Sequence, residues 1–230
     1  MATIYLIRHG QAQFGMEDYD ALSATGIEQA KYLGEVLKQR NLKVDKVFSG
    51  NMKRHLQTAT HCLDSFDFDQ TTISFMDDWN EFDHRNIIAK YDERYEDINQ
   101  LKMDIISASN PMQKIEEVLK GAVTRWTSEQ HNDYSETWSA FCKRVENGLD
   151  HLASTTEKSE TILVFTSGGS ISVALKKILN LSVEKTFELQ LFTANASITK
   201  IKTSAKGLHL LSFNDHSHFD GGKKNLLTFK

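Results

Sequence analysis

The stretch Thr3-Ile4-Tyr5-Leu6-Ile7-Arg8-His9-Gly10 decides the reading of this chain. Its apolar, partly β-branched run predicts a buried strand that ends abruptly in Arg8-His9-Gly10. In open α/β sheets, ligands sit beyond the carboxyl ends of the strands. An imidazole and a guanidinium at that edge suit an anion: one attacks or donates a proton, the other clamps. Neither group ends a buried strand without reason, because burying either one unpaired is unfavourable. Gly10 is expected to let the backbone turn sharply and to leave room above His9.

Working outward, strand and helix signals alternate. A loop from Gln11 to Ala24, carrying Phe14, Tyr19 and Asp20, is long enough to wall a pocket. Thr25-Gly26-Ile27-Glu28 has capping-box spacing, and Ile27, Ala30, Leu33 and Leu37 follow on one helical face. Val44 to Ser49 predicts a second strand. A helix from Asn51 follows, with Leu56, Ala59 and Leu63 as its apolar stripe. With Asn51 as N-cap, Arg54 falls in the first turn, beside unpaired N–H groups and the positive end of the helix dipole.

Thr71 to Met76 predicts a third strand, leading into Trp79-Asn80-Glu81-Phe82-Asp83-His84. From His84 to about Tyr134 the pattern becomes helical and rich in charge, with Asn110-Pro111 as a start signal. No Gly/Ser/Pro linker bounds this stretch, so residues 1–230 are expected to form one domain with a helical cap insertion at about 84–134. Trp138, Phe141, Cys142, Val145, Leu149 and Leu152 trace a long amphipathic helix, whose Trp stripe reads as packing.

Thr161 to Thr166 is the strongest buried strand and breaks into Ser167-Gly168-Gly169-Ser170 before another helix. Asn195 to Lys202 and Leu208 to Phe213 predict a closing hairpin around Ala205-Lys206-Gly207. The fold class is α/β: a three-layer sandwich on a mostly parallel, doubly wound sheet with an antiparallel edge.

The totals restrict partners. Lys and Arg number 27 against 31 Asp and Glu, a net charge of −4, which leaves no footprint for nucleic acid or a membrane surface. Any anion site is therefore local. Cys62 and Cys142 form neither metal spacing nor a disulfide framework, and Ile4 to Ile7 is too short for a signal sequence or a span. The expectation is a soluble cytoplasmic protein without metal or cofactor.

Four strand ends now place chemistry at one edge: Arg8-His9, Arg54, Glu81 and Ser167-Gly168-Gly169. These types suit phosphoryl transfer. A neutral imidazole attacks phosphorus, neighbouring arginines depress the pKa of His9, and Arg8 and Arg54 grip the oxygens. Glu81 is placed to protonate a leaving oxygen, if its pocket raises its pKa.

The stretches Leu6 to Ala12, Leu22 to Ala30, Arg54-His55-Leu56-Gln57-Thr58-Ala59, Asn195 to Thr199 and Asn214 to His218 together resemble the histidine phosphatase (phosphoglycerate mutase-like) superfamily. They run in family order along nearly the whole chain. The resemblance implies His9 as nucleophile, Arg8 and Arg54 as phosphate clamp, Glu81 as proton donor and a small phosphorylated substrate. It also implies a second catalytic histidine where Ser167 stands. Ser167 keeps an O–H, and Gly168 and Gly169 keep N–H groups at a helix start. The lost charge-assisted bond is worth roughly 1.5–3 kcal/mol, about 10- to 150-fold in rate. His84 or Arg85, close after Glu81, is the expected source of replacement charge, and Gln11 joins Ser167 and Gly168 among the expected substrate contacts. Gln11-Ala12-Gln13 replaces the residues that usually follow Arg-His-Gly in mutases, which favours a hydrolase.

Other readings are weaker. A nucleophile elbow needs glycine where Phe165 stands, and His216-Ser217-His218-Phe219-Asp220 lacks the remaining ligands of a metal-hydrolase cluster. The competing class is a weakly active or inactive phospho-ligand binding protein on the same scaffold, followed by a mutase-type phosphotransferase.

Overall fold

The first strand, β1 (Thr3–Arg8), lies inside a six-stranded sheet of order β3-β2-β4-β1-β5-β6. A computed structural model describes residues 1–13, 20–66 and 68–229, so Phe14 and Tyr19 of the expected pocket wall lie outside the described residues. The chain forms two compact units, Met1–Glu81 with Val145–Lys230, and Phe82–Arg144.

In the first unit, β2 (Lys46–Ser49), β3 (Ser74–Phe75) and β4 (Thr161–Thr166) run parallel to β1, with β4 between β2 and β1. β5 (Ile198–Ser204) is antiparallel to β1 and pairs with β6 (Gly207–Asp215) in a hairpin, the antiparallel edge the sequence predicts. Register aligns Arg8 with Thr166, so the next residues, His9 and Ser167, leave the sheet side by side.

Strand residues alternate between faces. Ile7, Val47, Leu163 and Phe165 share a core with Leu33 and Leu37 of α1 (Ala24–Gln39) and Ala59, Cys62 and Leu63 of α2 (Lys53–Leu63). Ile4, Leu6, Ile162 and Val164 are buried on the opposite face, where α7 (Gly168–Leu179) packs against β1 and β6 and is joined by α8 (Val183–Phe192). The result is a three-layer α/β sandwich.

Two helix starts differ from expectation. α1 is capped by Ser23, whose Oγ accepts from Gly26 N–H at 3.1 Å, so Thr25 sits inside the helix. α2 begins after Met52; Asn51 instead donates through its backbone and side chain to Asn80 and Asp77, at 2.6 Å each. The stripe of α2 also shifts. Its buried face is Arg54, His55, Thr58, Ala59, Cys62 and Leu63, so Ala59 and Leu63 face inward as predicted while Leu56 is exposed.

The second unit holds α3 (His84–Tyr91), α4 (Ile98–Ser107), α5 (Pro111–Thr127) and the start of α6 (Trp138–Thr155). Asn110 caps α5 with Pro111 at its first position, as predicted. The Trp stripe is packing: Trp126 lies 4.9 Å from Phe82 and 5.2 Å edge-on from Trp138, ring to ring. Among the described residues, no helix is long and apolar enough to cross a membrane.

Candidate active site

The end of β1 is held to β4 by the His9 N–H, which donates to Thr166 O at 2.8 Å. The ring is then oriented from both sides. Its Nδ1 lies 2.7 Å from Gly10 O, and a carbonyl only accepts, so Nδ1 carries the proton. Nε2 keeps a lone pair and accepts from Arg54 Nε–H at 3.2 Å. Burial first, then the Arg54 and Arg8 guanidiniums and the His55 ring, hold the His9 pKa well below the usual imidazole range. The imidazole is neutral at physiological pH, with its lone pair on Nε2.

Gly10 is required for a reason other than a turn. A Cβ there would stand 2.4 Å from Gly26 O, because the start of α1 passes directly against it. Gly10 N–H donates to Thr58 Oγ1 at 3.0 Å, and that hydroxyl donates to Arg54 O at 2.7 Å, so strand end and helix start are tied together.

Arg54 sits in the first turn of α2, as expected, and is buried. Its Nη1 donates to Asp20 Oδ1 at 2.6 Å, while Asp20 Oδ2 accepts from Lys53 N–H at 2.8 Å. Asp20 thus supplies the anion for a helix start whose own N-cap residue, Met52, offers none. Sequence reasoning placed Asp20 only in a loop wall; nothing local announces a cap supplied from 33 residues away.

Arg8 directs Nη1 to the carbonyls of Thr193 and Phe229, and its Nε lies 3.6 Å from where a Gly168 Cβ would be. Glu81 Oε2 accepts from Gly169 N–H at 3.0 Å, placing the carboxylate over the first turn of α7. Gln11 is turned to a structural task, its Oε1 accepting from the Ser23 hydroxyl at 2.9 Å. Asn195 Nδ2 donates to His9 O at 3.1 Å, and Ala196, in the left-handed region at φ 52°, donates its N–H to Arg8 O. His84 and Arg85 form the first turn of α3 in the second unit, behind the Asp83 cap.

The residue that sequence reasoning missed is His55. It is fully buried, its Nε2 is 2.6 Å from Ser167 Oγ, and its ring centre is 5.7 Å from that of His9. The available signal was helical spacing: residues 55, 58, 59 and 62 form the inward stripe, so His55 faces the sheet edge.

The first unit therefore brings His9, Arg8, Arg54, Glu81, Ser167 and Gly168 to one sheet edge. The sequence model of the histidine phosphatase superfamily (branch 1) matches residues 4–216. The chain belongs to the histidine phosphatase superfamily. A 2,3-bisphosphoglycerate-dependent phosphoglycerate mutase from Porphyromonas gingivalis is 28% identical over 212 residues, covering 84% of each chain. YhfR of Bacillus stearothermophilus shares the fold at TM-score 0.71 and 16% identity, over 96% of this chain and 100% of its own. Phosphoserine phosphatase from Entamoeba histolytica, solved with 3-phosphoglyceric acid, shares it at TM-score 0.63 and 19% identity, over 95% and 99%. Superfamily membership agrees with the resemblance carried by the Arg8-His9-Gly10 and Arg54 to Ala59 stretches.

Proposed function

We propose that this protein is a phosphomonoester hydrolase that works through a phosphohistidine at His9. The carrying observation is the state of that ring: Nδ1–H bound to Gly10 O, and Nε2 a lone pair facing Arg54. In the first step the Nε2 lone pair forms the N–P bond. The P–O bond to the leaving group breaks, its electron pair stays on that oxygen, and the Glu81 carboxyl gives it a proton. In the second step Glu81 takes a proton from water, whose oxygen attacks phosphorus. The N–P electrons return to Nε2 and inorganic phosphate leaves.

Arg8 and Arg54 supply the positive charge for the phosphoryl oxygens, with Arg54 moving its Nε from His9 to the incoming group. The N–H groups at the start of α7 add dipolar stabilisation. No step needs a metal, so a chelator leaves the rate unchanged. The substrate on this reading is a small phosphorylated molecule in the cytoplasm. The 28% identity to a phosphoglycerate mutase supports a second reading, phosphoryl transfer between positions of a sugar-acid phosphate without net release.

A phosphate-release screen over phosphomonoesters, with His9→Ala as control, tests the proposal. Release from the wild type alone, with an acid-labile, base-stable phosphoprotein trapped on rapid quench, is the expected result. Equal background rates from both proteins refute it and favour a phospho-ligand binding protein.

A further inference from the structure

Ser167 stands where the superfamily resemblance places a second histidine, yet an imidazole reaches the same spot from a different element. His55 follows Arg54 on α2, its Nε2 lies 2.6 Å from Ser167 Oγ, and both residues are fully buried. Room for this ring is built into the chain. A Cβ on Gly50 would lie 2.3 Å from His55 Nδ1, so the residue after β2 is one without a side chain.

The proton on the His55 ring follows from its surroundings. Nδ1 is buried without a hydrogen-bond partner. An orphaned buried N–H is rarer and more costly than an orphaned acceptor, so the proton sits on Nε2 and is donated to Ser167 Oγ. That bond uses a serine lone pair and leaves the hydroxyl hydrogen to point elsewhere. Ser167 follows Thr166, the register partner of Arg8, and so emerges beside His9, with the Arg54 guanidinium on the His9 ring.

We propose that His55 and Ser167 act as one hydrogen-bonding unit, in which His55 positions the Ser167 hydroxyl to donate to the phosphoryl group at His9. The role of one imidazole at the end of β4 is thus divided between a positioning residue on α2 and a donor on the strand. The unit is neutral in the resting site, since burial, then Arg54, hold the His55 pKa well below the usual imidazole range. Among the described residues, the groups facing His55 include Arg54 on its own helix, His9 at the end of β1 and the Ser167 hydroxyl. A neutral donor needs no protonation, so it imposes no alkaline loss of activity. This inference rests on the phosphohistidine reading.

The test uses the full-length protein, an aryl phosphate as substrate and vanadate as a phosphoryl mimic. His55→Ala and Ser167→Ala are each expected to lower kcat about tenfold with a smaller change in KM, because the bond is made most strongly to the transition state. The double variant is expected to be no worse than either single one, as for residues that act as a unit. His55→Gln keeps an N–H donor and recovers most of the loss, which separates positioning from a simple packing defect. In His55→Ala/Ser167→His the imidazole returns to β4. That variant is expected to exceed the double alanine variant and to gain an alkaline limb in its pH–kcat profile, as an imidazolium donor must stay protonated. Vanadate affinity, read by thermal shift, follows the same order.

Additive single effects, or wild-type kinetics in folded His55→Ala, overturn the pair while leaving the His9 reading intact. A wild type that releases no phosphate beyond His9→Ala overturns both.

Discussion

Asp20→Ala is the perturbation in which stability and ligand affinity are expected to move in opposite directions. In the resting site the Asp20 carboxylate accepts from Lys53 N–H at 2.8 Å and from Arg54 Nη1 at 2.6 Å. Removing it takes away a helix cap, worth about 1 kcal/mol. It also removes a partly exposed ion pair, worth up to about 1 kcal/mol. The expected loss is roughly 1–2 kcal/mol, which in a chain of this length lowers Tm by about 2–8 °C. The same carboxylate competes with any phosphoryl group for Arg54. Placing the two anions ~6 Å apart with an effective dielectric of 40–80 gives a repulsion of roughly 0.7–1.4 kcal/mol, about three- to tenfold in affinity. Ligand-free Asp20→Ala should therefore melt below wild type yet bind vanadate three- to tenfold more tightly. Thermal unfolding across a vanadate series reads both quantities, because the ligand-dependent rise in Tm reports Kd. A variant that melts lower and also binds vanadate more weakly would refute the competing-anion account. One with unchanged Tm would refute the cap.

Three further outcomes follow from particular contacts. Gly10→Ala forces a methyl against Gly26 O at 2.4 Å, main chain on main chain, and should destabilise by roughly 1–3 kcal/mol or more; denaturant unfolding within 0.5 kcal/mol of wild type contradicts this. Gln29→Ala strands Gln11 N–H and Leu226 O, which the buried amide holds at 2.8 and 2.6 Å, and should lose roughly 1–3 kcal/mol per stranded group, with the chain end from Leu226 more open to limited proteolysis; an unchanged cleavage pattern would count against it. Burial pushes the His218 pKa down to about 4, so the unfolded chain takes up the proton first: stability is complete above about pH 6.5 and falls by about 3 kcal/mol as pH drops to 4, and His218→Phe should flatten that part of a stability–pH curve measured by urea unfolding.

The fold was legible because the strands announce themselves. Thr161–Thr166 is the span read from the sequence, and the hairpin turns at Ala205-Lys206-Gly207 as its turn residues require. Asn110-Pro111 marked a helix start because Pro at the first helical position loses no hydrogen bond. Caps were less legible. Asn51 has the right chemistry for an N-cap, but Asp77 and Asn80 outcompete the helix for it, and Asp20 takes over from a distance.

The candidate site divides in the same way. Sequence by itself determined the superfamily and the α/β fold class, and it predicted that His9, Arg8, Arg54, Glu81 and Ser167 meet at one edge, because strand ends and helix starts are local signals with fixed chemistry. Only the tertiary structure decided which groups touch. It put Arg54 on His9 Nε2, Gly26 against Gly10, and His55 on Ser167 across 112 positions of chain. Helical spacing marks His55 as inward-facing, but which group it meets depends on where α2 settles against the sheet, and that is fixed by packing of the whole core.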